Sequence, residues 1–175
     1  MVLHRRQPIA GASMFFTHML HDRHSHLLCE HIDLFRNAYA AVCTHWPFVT
    51  RAAVILPEHL HCIWQLPAHD TDYSGRWRLI KARFTTALRW RGVRVGTRGE
   101  GSSSAWQRRC WEHTLNNDDD VRAHVEYIHI NPLKHGLVQH VRDWPYSSFH
   151  RHVAQGQVPL DWGDAAPEPN GRFGE

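Results

Sequence analysis

His59 and His61 flank Leu60 in the run Leu56-Pro57-Glu58-His59-Leu60-His61-Cys62-Ile63-Trp64. The run is rich in β-formers. Alternation along a strand puts both imidazoles on one face and Leu60 and Cys62 on the other. Neutral imidazole is a common ligand for a divalent metal. Far along the chain lies a second polar cluster, Tyr127-Ile128-His129-Ile130-Asn131-Pro132. On a helix, Tyr127 and Asn131 share a face one turn apart, and His124 lies on that face too. The Asn131 amide oxygen is then a third ligand beside the two imidazoles. Such a mixed nitrogen–oxygen site suits Mg2+ or Mn2+ and leaves positions open for substrate oxygens. The ion would act as a Lewis acid on a phosphate, and Tyr127 would attack phosphorus to give a covalent phosphotyrosine. Unperturbed tyrosine titrates near ~10, so the nucleophile needs activation. This chemistry suits cutting a nucleic-acid backbone.

Taken singly, the same residues have plainer uses. A His-x-His on a strand is commonly a surface or core pair in a chain with 17 histidines. A tyrosine on an amphipathic helix is commonly packing. His18, His21, His24 and His26 form another histidine-rich stretch, read as surface or DNA-facing because no carboxylate or Cys pattern completes a zinc site. The chain has no His-Glu-x-x-His, which argues against a zincin protease.

Positioning these residues takes an ordered set of elements. Met14–Leu20 reads as a buried strand, and the apolar spacing of Ile32, Phe35, Tyr39 and Val42 argues a helix over residues 31–45. Ala52–Leu56 and His59–Leu66 form a hairpin around Pro57-Glu58. A loop over 70–75 leads to a helix over 76–90, with Ile80, Phe84, Ala87 and Leu88 as its stripe. Residues 92–104, rich in Gly, Ser and Arg, suggest a mobile loop, and Ala105–His113 a further strand. Asp118, Asp119 and Asp120 open the next helix through capping and the macrodipole. Pro132 is expected to stop it near Asn131. The order implies an antiparallel sheet with helices on one face, an α+β sandwich.

At 175 residues and 20.4 kDa the chain fits one domain, over residues 1–155, followed by an acidic Pro- and Gly-rich tail over 156–175. No run approaches the ~20 apolar residues that span a bilayer, and Met1–Arg6 lacks the apolar stretch of a signal peptide. The four cysteines form no Cys-x-x-Cys pair, which points to a reducing cytoplasm rather than a disulfide framework. Net charge is +3, but residues 76–109 hold ten of the twenty Lys and Arg residues against one acid, Glu100. Trp77, Trp90 and Trp106 are interleaved with them. A solvated basic helix face accounts for part of this. The sign asymmetry favours nucleic acid, with arginine on phosphate and aromatic faces on unpaired bases.

In combination these stretches resemble the REP-associated tyrosine transposases, a bacterial branch of the single-tyrosine HUH nucleases. Gly11-Ala12-Ser13-Met14-Phe15-Phe16-Thr17, the His59/His61 run, Trp106–His113, Tyr127–Val138 and Asp143–Phe149 occur in the family's order. The resemblance implies a ferredoxin-like α+β fold with the histidines on a central strand. It implies His59, His61 and Asn131 as metal ligands and Tyr127 as nucleophile. The implied substrate is single-stranded DNA carrying repetitive palindromic hairpins, cleaved to a 5′-phosphotyrosine and a free 3′-hydroxyl. Arg5 and Arg6, on the N-terminal arm, are the implied guide contacts to a tetranucleotide at the hairpin foot. Arg76, Arg78, Lys81, Arg83, Arg108 and Arg109 are the further candidate DNA contacts. A cytoplasmic, nucleoid-associated monomer or homodimer is expected, and the acidic tail is a candidate cover for the basic groove. The alternative from another class is a domesticated hairpin-binding protein that does not cut.

Overall fold

The computed structural model describes residues 10–95, 97–98, 102–103 and 105–164. Arg5, Arg6 and residues 165–175 of the acidic tail lie outside them. The elements run β1 (Ser13–Met19), α1 (Leu27–Glu30), α2 (Ile32–His45), β2 (Val49–Ile55), β3 (His59–Gln65), α3 (Tyr73–Trp90), β4 (Thr97–Arg98), β5 (Ser102–Ser103), β6 (Trp111–Leu115), α4 (Asp118–Lys134) and α5 (Phe149–Ala154). A four-stranded antiparallel sheet has the order β2-β3-β1-β6. With α2 and α3 as its crossovers this is the ferredoxin-like α+β pattern. Within the stretch over 92–104, read from sequence as a mobile loop, the described residues form a short ladder, Thr97 opposite Ser103 and Arg98 opposite Ser102.

Strand β3 is buried nearly throughout because it is covered on both faces. Leu60, Cys62 and Trp64 pack with α2 and α3, through Phe35, Val42, Trp77, Ile80 and Phe84. Ile63 packs on the opposite face, with Phe15, Ala52, Val54 and the α4 residues Tyr127 and Ile128. Helices therefore lie on both faces, not one: hydrophobic periodicity says that a helix has a buried stripe, not which side of the sheet receives it. The consequence is functional. The basic helix α3 and the tyrosine helix α4 are on opposite sides of the sheet.

Two boundaries also differ from expectation. Helix α3 begins three residues before Arg76, because the Asp72 side chain caps it by accepting from the Gly75 N–H at 2.8 Å. Helix α4 runs through Pro132 to Lys134. Asn131 and Pro132 are buried, and that packing offsets the missing N–H. The helix then closes with Gly136 at φ +67°, the Leu137 N–H on the Pro132 carbonyl and the Gly136 N–H on the Leu133 carbonyl, both at 2.9 Å. This is a Schellman ending, which favours glycine at the left-handed position. The last strand is shorter than expected, starting at Trp111, and Trp106 meets Leu20 only as an isolated bridge.

The open edge of β2 is covered by the segment around Trp144–Ser148. The Ile55 N–H donates to the Tyr146 carbonyl at 2.9 Å and the Ser148 N–H to the Ala53 carbonyl at 2.8 Å. The Trp144 indole N–H donates to the Ile55 carbonyl at 2.9 Å. Covering an edge in this way blocks unwanted strand pairing.

Arg76 is a correction. Only 3% exposed, its guanidinium donates to the Asp70 carboxylate at 2.6 Å and to the backbone carbonyls of Trp46, Pro47 and Asp72. It ties the end of α2 to the start of α3 and has no surface to offer DNA. Arg76→Ala is expected to destabilise the fold by about 2–3 kcal/mol, since charged hydrogen bonds are lost and carbonyls are stranded. Thermal denaturation checks this. His18, expected at the surface, is 1% exposed against Trp77, their ring centroids 4.0 Å apart. Burial holds its imidazole well below the ordinary histidine value, with the charge of Lys81 acting in the same direction.

Candidate active site between the sheet and helix α4

The two histidines reach the α4 side because β3 alternates. Each is fixed through Nδ1. The Glu58 carboxylate accepts from His59 Nδ1 at 2.8 Å, and Thr17 Oγ1, from neighbouring β1, bonds His61 Nδ1 at 2.9 Å. A carboxylate only accepts, so His59 carries its proton on Nδ1 and its lone pair on Nε2. Burial works to raise the Glu58 carboxyl, but its hydrogen bonds, that with His59 first, hold the group below its ordinary value. The His59 and His61 ring centroids are 5.0 Å apart.

Helix α4 brings Tyr127 over this pair. The Tyr127 ring lies 5.2 Å from His61 and 6.2 Å from Phe15, and is 2% exposed. Asn131, one turn on, is fully buried. It sits on α4 between Tyr127, which meets His61, and His135, whose ring is 5.1 Å from His59. His59 and His61 on β3 thus meet Tyr127 on α4, and Asn131 lies one turn further along the same helix. Two neighbours were missed. Lys134 Nζ stands 5.2 Å over the Tyr127 ring, and His135 contacts His59. Helical spacing from Tyr127 and Asn131 carried the signal for Lys134 and His135, but ending the helix at Pro132 hid it.

The donor set fits a divalent ion. His59 Nε2 is buried and has no hydrogen-bond partner, an arrangement that costs free energy unless something binds it. A neutral imidazole held through its other nitrogen by a carboxylate is the usual support of a metal ligand. Between β6 and the start of α4, His113, Asp120 and His124 form a second group whose ligand atoms all lie within 4.8 Å of one another and could hold a metal ion.

The basic residues divide by position. Arg78 and Arg83 are exposed on α3, on the far side of the sheet from Tyr127, whereas exposed Arg108 and Arg109 lead into β6. Lys81 is partly buried, its ammonium 5.4 Å from the Trp106 ring, and burial lowers its pKa. Trp77 and Trp106 belong to the core, whereas Trp90 is 86% exposed, so of the three only Trp90 is open to a base. No helix among the described residues is long and apolar enough to cross a membrane.

No protein-family model matches the chain. Full-length relatives do. The chain is 47% identical over 159 residues to the REP-associated tyrosine transposase of Escherichia coli K12, covering 91% of this chain and 89% of that protein. A Haemophilus influenzae relative with the same family designation is 44% identical over 162 residues, covering 91% and 92%. A solved REP-associated tyrosine transposase bound to a REP hairpin superposes with a TM-score of 0.82 at 44% identity, covering 99% of both chains. Identity at this level along nearly the whole length, with the same fold, makes this chain a member of the REP-associated tyrosine transposase family.

Proposed function

We propose that the protein is a metal-dependent single-stranded DNA endonuclease and strand transferase acting on REP-type palindromic hairpins. The observation that carries this is the convergence of Tyr127 with the Nδ1-anchored pair His59 and His61 in one buried site. His59, His61 and Asn131 would hold Mg2+ or Mn2+, which supplies Lewis-acid polarisation of the scissile phosphate.

The protein's own residues do the rest. The Tyr127 oxygen attacks phosphorus and forms a 5′-phosphotyrosine ester as the bond from phosphorus to the 3′-oxygen breaks. The departing oxygen takes a proton and becomes a free 3′-hydroxyl. The ester conserves the energy of the broken bond, so a second 3′-hydroxyl reverses the step and joins strands. The Lys134 ammonium over the ring favours negative charge on the phenol oxygen as it deprotonates.

The test is a covalent-capture gel. The full chain is mixed with single-stranded oligonucleotides carrying palindromic hairpins, with Mg2+, with Mn2+ or with chelator. A metal-dependent adduct that survives denaturation supports the proposal. Tight binding without an adduct under any metal supports a hairpin-binding protein that does not cut.

Arg108 and Arg109 are the proposed phosphate contacts nearest the site's edge strand. Arg108→Ala is expected to weaken binding of all hairpins alike and to reduce the slope of log K against log salt by about one. Titrations at several salt concentrations measure it.

A further inference from the structure

We propose that His113, Asp120 and His124 form a second divalent-ion site, of the zinc and cobalt class, that ties edge strand β6 to the first turn of α4.

The three side chains come from two elements and converge on one carboxylate. His113 Nε2 lies 3.4 Å from one Asp120 oxygen and His124 Nδ1 lies 3.1 Å from the other. Ligand atoms held about 2.0–2.1 Å from a tetrahedral ion are roughly 3.3 Å apart, close to the two histidine–carboxylate distances, and all three ligand atoms lie within 4.8 Å of one another. The two imidazole centroids are 5.3 Å apart. Two imidazoles with one carboxylate suit zinc-like ions and leave a fourth position for water or a phosphate oxygen. Asp120 also accepts from the Asn116 N–H at 3.1 Å, and His124 Nδ1 is 2.8 Å from the Asp120 carbonyl. An ion bound at Nδ1 replaces that last bond and leaves the imidazole proton on Nε2.

The site is separate from the proposed active site. Phe15 stands between them, 4.9 Å from the His124 ring and 5.6 Å from the His61 ring. Yet His124 and Tyr127 are three residues apart on one helical face. An ion here would set the position of the α4 turn that carries the nucleophile.

Equilibrium dialysis against Zn2+ with measurement of bound metal tests the proposal, on the full chain and without DNA. The wild type is expected to hold two equivalents, Asp120→Asn one, His59→Ala/His61→Ala one, and the combined variant none. Asp120→Asn retains an oxygen for the Asn116 N–H, and thermal melts confirm its folding. His113→Gln, altered on the strand instead of the helix, serves if Asp120→Asn does not fold. Zinc content unchanged in both Asp120→Asn and His113→Gln overturns the second site. So does a single wild-type equivalent that vanishes in His59→Ala/His61→Ala, which would leave an ordinary hydrogen-bonded clasp. Loss confined to Asp120→Asn and His113→Gln, with no change in His59→Ala/His61→Ala, upholds this site and counts against the proposed active site.

Discussion

Tyr127→Phe is expected to abolish the covalent DNA adduct, lowering strand cleavage by roughly 10³-fold or more, as loss of a nucleophile does. Hairpin affinity should change by less than about threefold, or under ~0.7 kcal/mol. The reason lies in the surroundings of the ring. Tyr127 is 2% exposed and its ring packs against Phe15, His61 and the Lys134 ammonium. Phenylalanine keeps those contacts and removes only the oxygen. A denaturing gel reads the adduct and a native titration reads the affinity. If the variant cuts at the wild-type rate, Tyr127 is not the nucleophile.

The positions of Tyr127 and His61 show how far sequence reaches. Alternation along His59–Gln65 is local geometry, so the shared face of the two histidines was legible. The helical spacing of Tyr127 and Asn131 was legible for the same reason. What sequence left open is which helix covers which face. The α3 stripe and the α4 stripe look alike as patterns, but α3 packs on Leu60, Cys62 and Trp64 while α4 packs with Ile63. Arg76 failed for a related reason. Its type and its neighbours match a nucleic-acid patch, and only the folded chain brings the Trp46 and Pro47 carbonyls to it. The end of α4 was missed because local preference around Pro132 was overridden by burial of Asn131 and Pro132. Lys134 and His135 were lost with it.

These placements change how DNA must approach. Arg78 and Arg83 lie across the sheet from Tyr127, so they are not placed to contact a phosphate at the proposed nucleophile. Any hairpin held by both surfaces must pass around an edge of the sheet. The β2 edge is covered by the segment around Trp144–Ser148. The opposite side carries β6 and the approach from Arg108 and Arg109, which is why those two arginines are the better candidates for contacts near the cut.

His61→Ala is the second large effect. Cleavage is expected to fall by roughly 10²–10³-fold or more at every Mg2+ or Mn2+ concentration, because a ligand is lost and its neighbours shift with it. His61 is the proposed ligand that also meets the proposed nucleophile, with its ring 5.2 Å from Tyr127. His59 instead meets His135 and Glu58. Removing His61 therefore both weakens the ion site and opens a gap beside Tyr127 and Phe15, for a stability cost of about 1–3 kcal/mol. Two measurements separate these effects. A thermal melt shows whether the variant is folded, and hairpin affinity in chelator shows whether the DNA surface survives. A folded variant that binds the hairpin as the wild type does but forms no adduct assigns the loss to the site's chemistry. A folded variant that still forms the adduct at the wild-type rate removes His61 from the ligand set, whatever becomes of Tyr127.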